Sequence, residues 1–180
     1  LCRRLILSAG LAAACLCAWS EGSGAGPRIE GIGQAGGPLP DVVTALCLDR
    51  TGLLWIGSRD GLLLFDGQTL RTFEYDVSDP GSISDNAIRT IYEDHEGYLW
   101  VGTNSGGLNR LDRAQWRFQR FRHDPADPGT LSHDSVYAVL EDRAGFLWVG
   151  TQQGLNRFDP KTRTFRHFLA DSADPAALAS

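Results

Sequence analysis

A ten-residue stretch decides the fold of this chain: Asp94-His-Glu-Gly97-Tyr-Leu99-Trp100-Val101-Gly102-Thr103. The same pattern, Asp-x-x-Gly-x-Leu-Trp-[Ile/Val]-Gly-[Ser/Thr], occurs again at residues 49–58 and 142–151. The tryptophans of the three copies are 45 and then 48 residues apart. A pattern that returns at a nearly constant spacing indicates a repeat architecture, in which each copy is one supersecondary unit.

A second marker has the same period. Asp79-Pro-Gly-Ser-Ile83-Ser84 returns at residues 127–132, and Asp174-Pro175 begins it once more. The two markers predict repeat units at residues 39–78, 79–126 and 127–173, with the start of a further unit at residues 174–180. Because the chain also contains no Met, we expect it to be a piece of a longer protein.

Each unit predicts four short strands. In the second unit these are Ala87–Glu93, Tyr98–Thr103, Leu108–Asp112 and Trp116–His123, which are rich in β-branched and aromatic residues. The Asp-x-x-Gly segments predict tight turns, since Asp bonds to nearby amides and Gly accepts a positive φ. Four antiparallel strands in 45–48 residues match one blade of a β-propeller. The predicted fold is therefore all-β, a β-propeller with three blades and the start of a fourth.

A blade cannot bury both of its faces alone and must stack on its neighbours. We expect the repeated tryptophan to pack between neighbouring blades, and the glycine two positions later to let the next sheet approach closely. These predicted core positions are Trp55, Gly57, Trp100, Gly102, Trp148 and Gly150.

The N-terminus resembles an export signal. Arg3 and Arg4 precede an almost wholly apolar run, Leu5–Ala18, which is too short to cross a bilayer as a helix. Ala18-Trp-Ser20 then places small residues where a signal peptidase cleaves. Residues 1–20 are therefore predicted to be a secretory signal peptide.

Residues 21–38 are rich in glycine and predict a flexible lead-in to the first unit. An exported chain implies a periplasmic location. Two alternatives stay open: Ala12-Ala-Ala-Cys15 resembles a poor lipoprotein cleavage box, and an uncleaved segment would act as a short anchor.

Composition and motif searches exclude several functions. With 17 basic and 22 acidic side chains and a formal charge of −5, the chain lacks the basic balance of a nucleic-acid binder. No nucleophile elbow, zinc-protease motif or phosphate-binding glycine loop occurs. The four histidines fall at different phases of the repeat and form no metal-binding set: His95, His123, His133 and His167. We predict no catalytic residue, metal or cofactor in this region.

The repeat resembles the two-component regulator propeller family. The resemblance rests on the Asp-x-x-Gly and Leu-Trp-[Ile/Val]-Gly-[Ser/Thr] motifs, and on the segments at residues 61–66, 107–112 and 154–159. It covers Leu39 to Leu178. The first unit departs from the period, since its turns are three residues shorter than those of the second.

The resemblance implies the extracytoplasmic sensor of a transmembrane receptor. Such proteins typically carry an export signal, propellers, an immunoglobulin-like domain, one membrane helix and a cytoplasmic output domain, a histidine kinase or a diguanylate cyclase. Their ligands are commonly carbohydrates, so the implied partner is a small extracellular ligand, with saccharides as candidates. The whole protein would be tethered to the membrane and dimeric through parts outside this region.

Other function classes remain alongside the sensor. One is a secreted propeller enzyme, a polysaccharide lyase or glycosidase, and another is a structural scaffold without a ligand. Short predicted loops favour the non-enzymatic sensor module, because catalytic groups usually lie on longer insertions.

A ligand is expected on one face of the predicted ring. The loops between second and third strands and the links between units vary from copy to copy, whereas the Asp-x-x-Gly turns are nearly uniform. Their mixed donors and acceptors suit polyhydroxylated ligands, and ordinary polar surface is the alternative. The candidate residues are Arg59, Asp60, Asp85, Asn86, Asn104, His133, Asp134 and Gln152.

Overall fold

The computed structural model of the protein describes residues 39–169. The predicted signal peptide, the lead-in and the start of a further unit at residues 174–180 lie outside these residues. Within the described range the chain forms twelve strands and no helix. The prediction of an all-β fold is confirmed for this part of the chain.

The strands form three separate four-stranded sheets, each antiparallel and each ordered as in the sequence. Blade 1 consists of β1 (Val43–Leu48), β2 (Leu54–Ser58), β3 (Leu62–Phe65) and β4 (Leu70–Phe73). Blade 2 consists of β5 (Ile88–Glu93), β6 (Leu99–Thr103), β7 (Leu108–Asp112) and β8 (Arg117–Phe121). Blade 3 consists of β9 (Val136–Glu141), β10 (Leu147–Thr151), β11 (Gly154–Asp159) and β12 (Thr164–Phe168). These are three consecutive blades of a β-propeller, with β1, β5 and β9 as neighbouring inner strands.

The outer strand of blade 2 is shorter than the sequence predicted. Trp116 was expected to begin it, but Trp116 has a φ of 56° and ends the preceding turn. A left-handed residue cannot continue the extended backbone of a strand. Arg163 occupies the same place in blade 3, with a φ of 60°. The side chain of Trp116 packs instead on blade 1, with its ring centroid 6.4 Å from that of Trp55.

The core lies between the blades. One apolar cluster joins blades 1 and 2 and another joins blades 2 and 3. Trp55 and Trp100 are 0% and 2% exposed. Trp100 packs on Phe121 of its own outer strand, at 5.6 Å between ring centroids, and on Phe158 of the next blade, at 5.5 Å. Trp148 is only half-buried, because no further blade covers its face among the described residues.

Gly57 and Gly102, each two positions after a repeated tryptophan, lie in close contact with the next blade. A Cβ added at Gly102 would be 2.6 Å from Val136 Cγ1 of blade 3 and 2.6 Å from Thr90 Cγ2 of its own blade. A Cβ at Gly57 would be 2.7 Å from Ile88 Cγ2 of blade 2. At Gly150 the nearest atom would be 3.7 Å away. The tight fit therefore depends on the presence of a following blade.

Each link between blades fixes itself to the blade that it enters. Phe118 in β8 donates its backbone N–H to Gly81 O at 2.8 Å, and Phe165 in β12 does the same to Gly129 O. Ile83 and Leu131, two residues later in each link, are fully buried in the core. The Asp-Pro-Gly marker thus adds a short segment to the outer edge of its own blade.

A buried asparagine holds the end of each link. Asn109 Oδ1 accepts a bond from the Ser84 amide at 3.0 Å, and Asn109 Nδ2 donates to Ser84 Oγ at 2.7 Å. Asn156 binds Ser132 in the same two ways. In blade 1 the corresponding position is Leu63, which lies in an apolar cluster instead.

The strand registers locate the three residues that the first unit lacks. Leu62 pairs with Phe73 in blade 1, whereas Leu108 pairs with Phe121 in blade 2, so the β3–β4 connection is two residues shorter than β7–β8. Gly57 pairs with Leu62 and Gly102 with Leu108, so the β2–β3 connection is one residue shorter than β6–β7. Both length changes lie at the ends of the blade and outside the packed interface.

Truncating the repeated tryptophan tests the inter-blade core. We expect Trp100→Ala to lower the free energy of unfolding by about 3–5 kcal/mol, as for other buried aromatic side chains. Trp148→Ala should cost less, because its side chain has a blade on one side only among the described residues. Urea unfolding followed by circular dichroism measures both, and an equal loss for the two variants would contradict this packing.

A matched pair of glycine substitutions tests the close approach of the sheets. Gly102→Ala should destabilise the fold by about 1–3 kcal/mol, because the new methyl group overlaps Val136 and Thr90. Gly150→Ala should change stability by no more than about 0.5 kcal/mol, since its Cβ would make only ordinary van der Waals contact with Ala138, 3.7 Å from the Ala138 Cβ. The same unfolding measurement applies, and equal effects would show that the contact with blade 3 is not what excludes a side chain at Gly102.

Candidate functional site

The strand order gives the ring two faces. The Asp-turn face carries the β1–β2, β5–β6 and β9–β10 turns, with the β3–β4, β7–β8 and β11–β12 turns beside them. The link face carries the β2–β3, β6–β7 and β10–β11 loops together with the links between blades. Every predicted ligand residue lies in a segment of the link face.

On the Asp-turn face each repeated aspartate joins its turn to its tryptophan. Asp94 Oδ1 accepts the amides of Glu96 and Tyr98 at 3.0 and 2.9 Å, while Oδ2 accepts the indole N–H of Trp100 at 2.7 Å. The indole bonds of the other two copies are Trp55 to Asp49, 2.9 Å, and Trp148 to Asp142, 2.8 Å. The sequence pattern predicted the turns but not the indole bond, for which the constant six-residue spacing was the available signal.

Neighbouring turns are connected by charge. The Arg50 amide donates to Glu93 Oε2 at 2.8 Å, and Arg50 Nε lies 3.2 Å from Glu93 Oε1. One blade further on, the His95 amide and ring contact Glu141 in the same way. The glutamate is in each case the last residue of the next blade's inner strand. These contacts fix one blade to the next at the Asp-turn face.

Arg113, in the β7–β8 turn, bridges two buried carboxylates. Its guanidinium lies 2.8 Å from Asp49 Oδ2 and 3.3 Å from Glu93 Oε1. Burial alone would raise the pKa of Asp49, but hydrogen bonds from Thr51, the Trp55 indole, Arg113 and the Leu53 amide more than offset this and lower the pKa to about 2. Asp49 is thus held as an anion by the fold itself.

The hydrogen bond that the His95 ring donates to the Glu141 carboxylate, reinforced by the charge of that carboxylate, raises the pKa of His95. A raised pKa in the folded state means that this contact stabilises the fold at low pH and weakens as the pH rises through the histidine pKa. His95 is well exposed, so solvent screens this effect. Since the carboxylates of Asp49, Glu93 and Glu141 are already bound to protein groups, the Asp-turn face is built to join blades.

On the link face, five of the eight predicted residues use their side chains within the fold. Asp85 Oδ2 accepts the Ser105 amide and hydroxyl, both at 2.8 Å. Asp134 accepts the His123 amide at 2.7 Å. The remaining three bonds are Tyr75 N to Asn86 Oδ1, 2.6 Å; Arg89 Nε to Asn104 Oδ1, 2.9 Å; and Ser135 N to His133 Nδ1, 2.9 Å.

The other three predicted residues are Arg59, Asp60 and Gln152. Their side chains are exposed, and no hydrogen bond or ion pair involves them within residues 39–169. Arg59 and Gln152 begin the β2–β3 and β10–β11 loops, and Asn104 begins the corresponding loop of blade 2. The structure therefore places one polar residue per blade at the same position around the ring.

Two residues that the sequence pattern did not single out lie beside Asn104. Arg89 and Tyr137 are the second residues of inner strands β5 and β9, and both are exposed. The Arg89 guanidinium binds Asn104 and lies 5.0 Å from the centroid of the Tyr137 ring. The available signal in the sequence was a charged and an aromatic residue at the same position of two inner strands, each between small or apolar residues.

Residues 39–169 contain no group of three or more His, Cys, Asp or Glu side chains placed to hold a metal ion. Nor does a helix in this range have the length and apolar character needed to cross a membrane.

Each of the three blades matches a known family of repeats. A family model described as "Two component regulator propeller" matches residues 37–60, 82–105 and 130–153. Each matched segment contains the first two strands of one blade. The chain is therefore similar to that family in one segment of each blade. No curated protein matches the chain.

Several solved structures are also similar to this chain. The extracellular domain described for the hybrid two component system BT3049 of B. thetaiotaomicron is 27% identical over 79% of this chain, with a TM-score of 0.71. That of BT4673 from the same organism is 22% identical over 72% of the chain, with a TM-score of 0.41. This chain spans 20% and 25% of those two structures. Virginiamycin B lyase from Staphylococcus aureus, 14% identical over 71% of this chain and 41% of its own length, with a TM-score of 0.51, is similar in fold alone.

The buried aspartate gives the fold a defined acid sensitivity. Because the pKa of Asp49 is lowered from 3.8 to about 2, its ionised form stabilises the fold above about pH 4, and this is lost as the pH falls towards 2. Asp49→Asn should therefore be less stable than the wild type at about pH 5, by on the order of 2 kcal/mol, and the difference should narrow at about pH 2.

Urea unfolding at a series of pH values measures this difference. Asp60→Asn controls for the loss of one negative charge, because that carboxylate is exposed and makes no hydrogen bond among the described residues. A difference between the wild type and Asp49→Asn that does not change with pH would contradict the assignment.

Proposed function

We propose that this chain is part of the extracytoplasmic sensing region of a transmembrane signalling receptor. The observation that carries the proposal is the set of three two-component regulator propeller repeats, together with the 27% identity to the extracellular domain of a hybrid two component system. On this proposal the region is exported to the periplasm and has no catalytic activity of its own. The output activity, a histidine kinase or a diguanylate cyclase, belongs to other parts of a membrane-tethered, dimeric receptor.

The ligand is proposed to bind on the link face. On the opposite face, the carboxylates of Asp49, Glu93 and Glu141 are bound by arginine, histidine and backbone groups of neighbouring blades. On the link face Arg59 and Gln152 are exposed with unbound side chains among residues 39–169. Free donors and acceptors of mixed type suit a small polyhydroxylated ligand, so we propose a saccharide.

The loop lengths favour a sensor over a secreted lyase or glycosidase. The β2–β3, β6–β7 and β10–β11 loops contain only two to four residues between strands. Catalytic groups on a propeller would have to lie on loops or links at one face. Of the three link-face carboxylates predicted from the sequence, Asp85 and Asp134 are already bound to backbone amides. Asp60 alone is left unbound among these three, and one carboxylate does not supply both a catalytic acid and a catalytic base.

Signalling by the full-length receptor tests the proposal. A combined variant with Arg59, Asn104, His133 and Gln152 changed to Ala should lose at least tenfold in sensitivity to the activating saccharide. The matched control changes Glu96, Gln115 and Lys161 to Ala, which are exposed residues of the Asp-turn face, and should respond as the wild type does. An unchanged response of the link-face variant, at equal expression, would show that the ligand binds elsewhere.

A further inference from the structure

Arg89 differs from Arg50 and Arg113 of the opposite face in the groups that hold it. Arg50 and Arg113 each contact a buried carboxylate within 3.3 Å. Arg89 is held by the amide oxygen of Asn104, at 2.9 Å from Nε, and lies over the ring of Tyr137. Both partners are neutral, and no carboxylate within the described residues forms an ion pair with Arg89. Its positive charge is therefore uncompensated by its protein contacts.

Two acidic residues of the link face, Asp85 and Asp134, are occupied by other groups, whereas Asp60 is exposed beside Arg59 in blade 1. Asp85 accepts bonds from the Ala87 amide and from the amide and hydroxyl of Ser105. Asp134 accepts the His123 amide and lies 3.3 Å from Arg122. Neither carboxylate forms an ion pair with Arg89 in this arrangement.

The contact with Asn104 leaves one edge of the guanidinium open. Asn104 Oδ1 accepts from Nε and from one Nη of Arg89. Arginine carries five N–H donors, so the other Nη and the second hydrogen of the bound Nη remain available. Two parallel donors on one edge of a planar guanidinium match the two oxygens of a carboxylate.

The support for Arg89 comes from two blades. The Asn104 amide donates to Ala87 O at 2.9 Å in blade 2. The Asn104 carbonyl accepts a bond from the Ser135 hydroxyl, and Tyr137 lies under the guanidinium. Ser135 and Tyr137 belong to the link and inner strand of blade 3. The backbone of Asn104, whose side chain binds Arg89, is thus held by both blades before any ligand arrives.

The same side of the ring carries a second unpaired arginine. Arg59 holds in blade 1 the loop position that Asn104 holds in blade 2 and Gln152 in blade 3. Thr44, the residue of blade 1 that corresponds to Arg89 and Tyr137, is also exposed, and its hydroxyl donates to Ile88 O. The inner-strand and loop-start positions of the three blades thus supply two arginines, hydroxyl and amide groups and one aromatic ring, but no carboxylate.

We propose that Arg89, Asn104 and Tyr137 form a subsite for the carboxylate of an acidic saccharide. This inference rests on the proposed function and specifies its ligand class. The open edge of Arg89 binds the carboxylate as a bidentate pair, and the half-exposed Tyr137 ring offers an apolar face to the sugar. Arg59 and Gln152 are placed to bind hydroxyl groups of adjoining units.

Binding of paired oligosaccharides to the full-length purified receptor tests the subsite. The panel contains uronic-acid oligosaccharides, the same compounds as neutral methyl esters, sulfated oligosaccharides and neutral oligosaccharides, measured by isothermal titration calorimetry. We expect the uronic-acid oligosaccharides to bind, and each matching methyl ester to bind at least tenfold more weakly. Affinity for the acid should fall as the salt concentration rises.

Three variants test whether Arg89 causes the preference for the acid over its ester. Arg89→Gln should weaken binding of the acid at least tenfold and leave binding of its ester within twofold. Arg89→Lys keeps the charge but loses the planar fork, so its loss should be smaller than that of Arg89→Gln. Arg166→Gln, at an exposed arginine on the outer strand of blade 3, is the control and should bind as the wild type does. Thermal unfolding of each variant checks that the fold is kept.

The outcomes separate the two proposals. If no saccharide in the panel binds, both the saccharide ligand and the acidic subsite are wrong. If neutral or sulfated saccharides bind as well as or better than uronic acids, the saccharide ligand stands and the carboxylate subsite is wrong. Selective binding of acids that Arg89→Gln does not weaken would also overturn the subsite, because the charge would then be read elsewhere.

Discussion

The bond between a turn aspartate and a tryptophan indole is the interaction on which each blade depends. One carboxylate oxygen of Asp94 closes the turn by accepting two backbone amides, and the other accepts the N–H of Trp100. Burying an indole costs free energy if its N–H finds no partner. The aspartate removes that cost and at the same time fixes the distance between turn and ring. The large apolar surface of the tryptophan can then pack fully against the next blade.

The polar contacts at the two ends of the blades have different roles. At the Asp-turn face, charged contacts such as Arg50 to Glu93 and His95 to Glu141 join each blade to the next. At the link face, the buried amides of Asn109 and Asn156 secure the connecting chain. The proposed ligand site lies on the link face, where Arg59, Arg89 and Gln152 are exposed and outside any ion pair among the described residues.

Much of the fold could be predicted from the sequence, since a repeated pattern states the same local preferences three times. The antiparallel blades follow from strand-forming runs separated by Asp-x-x-Gly turns. The predicted start of the fourth strand of blade 2 at Trp116 was wrong. Trp116 is the left-handed residue that ends the β7–β8 turn, and its residue type does not reveal that conformation. The roles of Asn109 and Arg113 also escaped prediction. Both act on residues far away in the sequence, and no local periodicity reports such contacts.

The candidate site was harder to predict than the fold. Residues such as Asp85 and Asn86 were singled out because polar residues in variable loops suit ligands, yet the same chemistry also suits capping of backbone amides, which is how the structure uses them. Arg89 and Tyr137 lie in strands, where the alternation of buried and exposed positions hid them among ordinary surface residues. The contact between Arg89 and Tyr137 joins two separate blades, and no local sequence pattern predicts such a contact.

The placement of the length differences between the first two blades bears on how such a chain diverges after duplication. The β3–β4 turn is two residues shorter than the β7–β8 turn, and the β2–β3 loop is one residue shorter than the β6–β7 loop. Neither length difference lies within a packed strand. Insertions and deletions can accumulate at either rim while the contact surface between blades keeps its geometry. A duplicated blade can thereby acquire a new loop, and with it a new binding preference, while its packing against the neighbouring blades stays the same.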